Sequence, residues 1–72
     1  MRKEIIGINA GIVWRIISAK GYKMSFKELL METELNPIEL ASAIGWLARE
    51  DKIIFIQENG KNYFTVYREC YY

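Results

Sequence analysis

Apolar residues in the first twenty positions recur at helical spacing. Ile5, Ile8, Ile12 and Ile16 form one stripe, with Ile6, Val13 and Ile17 beside it, which predicts a helix over Arg2 to Ala19 that Gly21 ends. On a wheel of about 100° per residue these positions, joined by Ala10 and Trp14, cover well over half the circumference. Only Glu4, Gly7, Gly11, Arg15 and Ser18 fall outside that arc, so the helix is wide enough to touch two layers at once. Asn9 falls within the apolar arc, where its amide needs a hydrogen-bonding partner.

The pattern then shortens. Tyr22 to Met24 reads as a brief strand, and Ser25-Phe26-Lys27-Glu28 follows as a capping box, the serine hydroxyl and the glutamate three residues on trading bonds with free amides. Asn36-Pro37-Ile38-Glu39 repeats the device, with proline at the first helical position where its missing N–H is no loss. Phe26, Leu29, Leu30, Leu40, Ala41, Ile44, Leu47 and Ala48 sit at core spacings, so two short helices joined by Thr33 to Asn36 should pack on the first. Beyond Glu50 the period falls to two. Ile53 to Glu58 and Lys61 to Tyr67 flank Asn59-Gly60, the strongest short-range signal for a hairpin. In that register Ile53, Phe55, Phe64 and Val66 share one face, while Ile54, Ile56, Tyr63, Thr65 and Tyr67 share the other. Both faces are apolar, whereas a wing wetted on one side alternates with polar residues. The second face therefore asks for a cover, either from Tyr71 and Tyr72 or from a partner.

Helix, short strand, helix, helix, strand, strand defines an α+β winged helix-turn-helix, three helices with a C-terminal β-hairpin wing, in one domain over residues 1–72. Two blocks carry a family resemblance over nearly the whole chain. Ile6-Gly7, Asn9-Ala10-Gly11 and Val13-Trp14, with Ala43-Ile44-Gly45-Trp46-Leu47-Ala48-Arg49-Glu50-Asp51-Lys52-Ile53, resemble the small, functionally uncharacterised winged-helix family of bacteria and archaea. The resemblance implies the winged-helix fold, and a DNA-related role only through that fold.

Composition narrows the classes. A chain of 72 residues has a small core, which leaves a few kcal/mol of net stability unless something supplements it. With one cysteine (Cys70) and no histidine there is neither an intramolecular disulfide nor a zinc site, and no metal or other cofactor is expected. Close packing or self-association remains, and a hydrophobic share of 51% with 14% aromatics supplies more apolar surface than so small a core can hide. Ile5 to Trp14 ends at Arg15 and falls short of the roughly 20 residues that span a bilayer. Arg2 and Lys3 before an isoleucine run mimic a leader, but Glu4 and Arg15 interrupt it, so the expectation is a cytoplasmic protein that makes no use of a membrane. Catalysis is not expected either. Histidine is missing, Ser18, Ser25 and Ser42 have no base partner in the pattern, and no glycine-rich loop leads from a strand into a helix.

Two function classes follow. In a duplex reader, expected by fold and as a dimer, the third helix would enter the major groove and the wing would brush the backbone. Ser42 would then touch a base edge, with Arg49, Lys61 and Asn62 on phosphates. Charge opposes that picture. Residues 25 to 51 hold Lys27 and Arg49 against Glu28, Glu32, Glu34, Glu39, Glu50 and Asp51, two basic against six acidic, a net of minus four. The whole chain has a pI of about 7.8, where a nucleic-acid-binding domain commonly exceeds about 9. The basic cluster of Arg2, Lys3, Arg15, Lys20 and Lys23 lies in the first third, away from the motif. The other class is a protein-binding winged helix that forms a homodimer without contacting DNA. Its interface would draw on Gly7, Asn9, Gly11, Trp14, Trp46, Ile54, Ile56, Tyr63 and Tyr67. Trp46 is central to it, because an indole on an outward helical face either packs under the hairpin or anchors a partner. Gly7 and Gly11 would let a second element come close to Trp14, and a lone polar Asn9 in an apolar seam can fix a dimer's register. Duplex DNA, bound weakly, and another protein both remain possible partners.

Overall fold

The computed structural model describes residues 2–66. Tyr67, which the sequence offers to the interface, Tyr71 and Tyr72, which it offers as a cover, and the single cysteine, Cys70, lie outside the described residues. Three helices, α1 (Lys3–Lys20), α2 (Phe26–Thr33) and α3 (Pro37–Arg49), combine with three strands, β1 (Met24–Ser25), β2 (Ile53–Glu58) and β3 (Lys61–Val66). The boundaries follow from local chemistry. Gly21 ends α1 in the left-handed region at φ 74°. Both capping boxes form: the Glu28 amide donates to Ser25 Oγ at 3.1 Å and the Ser25 amide to the Glu28 carboxylate at 3.0 Å. In α3 the corresponding bonds between Asn36 and Glu39 are 2.8 and 3.0 Å.

Asn59 and Gly60 both take positive φ, 51° and 74°, so the hairpin closes through a two-residue turn of the type that suits the right-handed twist of its strands. Glu58 stands opposite Lys61, Ile56 opposite Tyr63 and Phe55 opposite Phe64. The brief strand lies at Met24 and Ser25 and pairs antiparallel with β3. The sheet order is β1-β3-β2, which puts β3 in the middle.

The core joins the inner side of α1 to α2, α3 and the sheet through Val13, Ile17, Met24, Leu29, Leu40, Leu47 and Phe64. Two sequence expectations shift here. The buried line of α1 runs through Asn9, Ala10, Val13 and Ile17 rather than Ile5, Ile8 and Ile12, and Ile8 is 63% exposed. With apolar residues over most of the circumference, several rotations of α1 bury similar area, and docking against α3 and the sheet selects among them. In α3, Ala43 is fully buried while Ala41 faces solvent, because the contact with α1 falls on the side that holds Ala43, Ile44 and Leu47.

Candidate interaction surfaces

The outward face of α3 carries Ile38, Glu39, Ser42, Trp46, Arg49 and Glu50, with Ile38 largely exposed, Ser42 and Glu39 half-buried, and Arg49 exposed at the helical end. Glu39 is held in place by its capping box at the end of α3 that a duplex reader would lead with. Its carboxylate therefore stands where a phosphate would approach. Lys61 and Asn62 are exposed at the wing tip and line a hollow of about 510 Å³ with Ser25, Phe26, Lys27, Glu28 and Tyr63. The fold thus groups them with the start of α2, and neither Ser42 nor Arg49 lines that hollow. Two members of the basic cluster are already engaged. Lys20 pairs with Glu32 at 3.3 Å, and Lys23 reaches over the Tyr63 ring, 4.9 Å from its centroid, to the Glu58 carboxylate.

A second surface is apolar. Gly7, Ala10, Gly11, Trp14 and Arg15 of α1 face Trp46 and Leu47 of α3, with Lys52 beside them, across an open groove of about 530 Å³. Four of the proposed interface residues, Gly7, Gly11, Trp14 and Trp46, are brought together here. The indoles are neither bare nor packed away, at 39% and 36% exposed. Beyond its own helical turn, a Cβ placed on Gly7 or Gly11 would meet nothing within 4 Å among the described residues, so neither glycine is needed to admit a neighbour from these elements. Asn9 belongs elsewhere. It is buried in the core seam, and its Nδ2 has no hydrogen-bond partner among the described residues, contrary to the partner its position calls for.

The hairpin supplies the third surface. Ile53, Phe64 and Val66 are buried against the helices, while Ile54 is 41% exposed and Ile56, Tyr63 and Thr65 are half-buried on the opposite face. Phe55 departs from its face. It stacks edge-on against Phe64 with centroids 5.5 Å apart yet is 59% exposed. Sequence periodicity groups Phe55 with the core face and has no signal for where that core stops. Among the described residues no strand pairs with the far edge of β2, no group of acidic or thiol side chains is arranged to hold a metal ion, and no helix is long and apolar enough to cross a membrane.

Comparison with known proteins agrees with this architecture. The family model of the winged helix-turn-helix domain DUF2582 matches residues 1–66, and the chain belongs to that family. The solution NMR structure of protein BT2368 from Bacteroides thetaiotaomicron is similar, with a TM-score of 0.81 and 36% identity over 92% of this chain and 79% of that one. No curated protein matches the sequence. A winged helix-turn-helix is a fold of nucleic-acid-binding and regulatory modules, and such domains generally bind rather than catalyse.

Proposed function

We propose that this domain is a cytoplasmic, non-catalytic interaction module that associates with a second copy of itself, and that α3 does not read duplex DNA. One observation carries the reading. Trp14 and Trp46, on different helices, share one groove over two glycines that leave it open, and each keeps more than a third of its surface in water. Indoles are among the side chains that contribute most when a contact surface closes. Contiguous exposed apolar surface of this kind commonly marks such contacts. The acidic surround of α3 supports the same reading, since affinity for nucleic acid rests chiefly on neutralising phosphates.

Sedimentation velocity tests it. A dimer at high micromolar concentration that dissociates on dilution, with a change in tryptophan emission, is the expected result, and a strict monomer at that concentration overturns the reading. Weak duplex binding is the second reading, favoured by Lys27, Lys61 and Asn62 meeting at the wing-side hollow. About four phosphate contacts per monomer would give a slope of log affinity against log salt near −3.6. Salt-insensitive or undetectable binding eliminates it.

A further inference from the structure

β2 is an edge strand of six residues, Ile53–Glu58, with no proline, no charge before Glu58 and apolar side chains on both faces. Soluble proteins usually guard such an edge with charge, proline, a bulge or a cover. The opposite edge of the sheet, β1, is only two residues long. Building on the self-association proposed above, we infer that the two copies meet here: β2 of one subunit pairs antiparallel with β2 of the other about a two-fold axis through Phe55, joining the sheets.

Backbone parity supports that register. In a two-residue hairpin the residues flanking the turn form a hydrogen-bonded pair, so Glu58 bonds to Lys61, and Ile56 and Ile54 follow with Tyr63 and Thr65. The N–H and C=O groups of Ile53, Phe55 and Gln57 then point to the open edge. Centring the two-fold on Phe55 sets Phe55 against Phe55 and Ile53 against Gln57, pairs in which every member has its backbone groups facing outward. A slip of one residue would oppose these groups to ones already used within the subunit.

Side chains support it independently. The same register places Lys52 of each copy opposite Glu58 of the other, so the segment from Lys52 to Glu58 is self-complementary in charge at both ends. Phe55, the most exposed large apolar residue on its face of the hairpin, meets its counterpart at the centre. A two-fold perpendicular to the sheet keeps Ile54 and Ile56 of both copies on one face, where they form a continuous apolar strip. Lys52 also lines the tryptophan groove, so each hairpin tip is carried toward the groove of the other subunit. Glu58 then lies between its own Lys23 and the second copy's Lys52.

Charge exchange at the two ends tests the register. Lys52→Glu and Glu58→Lys alter exposed side chains, so each variant should fold, which circular dichroism checks. Each alone sets two like-charge pairs across the two-fold and should weaken association roughly tenfold. Mixed together they restore opposite charges at both ends, and sedimentation should show a heterodimer about as tight as the wild-type dimer. Amide exchange supplies a backbone readout: Ile53, Phe55 and Gln57 gain protection with concentration while Ile54 and Ile56 are protected throughout. A wild-type dimer whose affinity ignores both substitutions, or variants that do not rescue each other, overturns the β2 edge and leaves self-association standing. A wild-type monomer removes both.

Discussion

Asn9 and the glycines of α1 are the residues at which this fold departs from what its own stability would select. A buried amide donor without a partner is destabilising by about 1–3 kcal/mol, and among the described residues Asn9 Nδ2 is such a group. Asn9→Leu, close in volume and without the donor, should therefore raise unfolding free energy by about 1–2 kcal/mol in chemical denaturation. A loss of stability would show that the amide is paired in the assembled protein. Gly7 and Gly11 have the opposite problem, too little side chain. Glycine inside a helix is about 0.5–1 kcal/mol less favourable than alanine, and among the described residues no neighbour beyond the helix's own turn stands within 4 Å of the Cβ that either would gain. Gly7→Ala and Gly11→Ala are each expected to stabilise the dilute, dissociated protein by about that amount, read from the shift in denaturation midpoint. If either destabilises, its groove is occupied from within the subunit.

Elements were readable where their determinants are local. Ser25-Glu28 and Asn36-Glu39 are complete capping boxes within four residues, and Asn59-Gly60 fixes the hairpin register without reference to the rest of the chain. The rotation of α1 was not readable, since Ile5, Ile8 and Ile12 look as apolar as Val13 and Ile17 and only the position of α3 and the sheet decides between them. The exposure of Phe55 has the same origin: the alternation gives its face, and tertiary packing gives its burial. Of the candidate site, the alignment of Gly7, Gly11 and Trp14 along α1 was legible from helical spacing, whereas the approach of Trp46 on α3 to them, like that of Lys61 and Asn62 to the start of α2, is a tertiary fact. The hairpin makes a prediction of its own. At concentrations where the chain is monomeric, amide exchange along β2 should alternate, slow at Ile54 and Ile56 and fast at Phe55 and Gln57, because only the first pair bonds to β3. Uniform protection of the strand in the monomer would mean that something within the chain already covers its edge.

At the scale of the whole molecule, shape and charge argue for different partners. The winged helix presents α3 and a wing in the arrangement used by duplex readers, yet the helix-turn-helix carries a net of minus four and Glu39 is fixed at the leading end of α3. Wild-type protein should therefore show no duplex complex tighter than ordinary non-specific binding, about 10⁻⁴ to 10⁻⁶ M at physiological salt. Glu39→Gln separates charge from structure. Glutamine still reaches back to the Asn36 amide, so the capping box survives while one negative charge disappears. If α3 never approaches the backbone, fluorescence anisotropy with a mixed-sequence duplex is the same for both proteins. Should Glu39→Gln bind several-fold tighter, with a salt slope that steepens toward that of four phosphates, the acidic helix would be a restraint on DNA binding rather than a sign of its absence. The proposal that α3 stands aside from nucleic acid would then fail, while the β2 edge, on the other side of the hairpin's chemistry, would be untouched by the result.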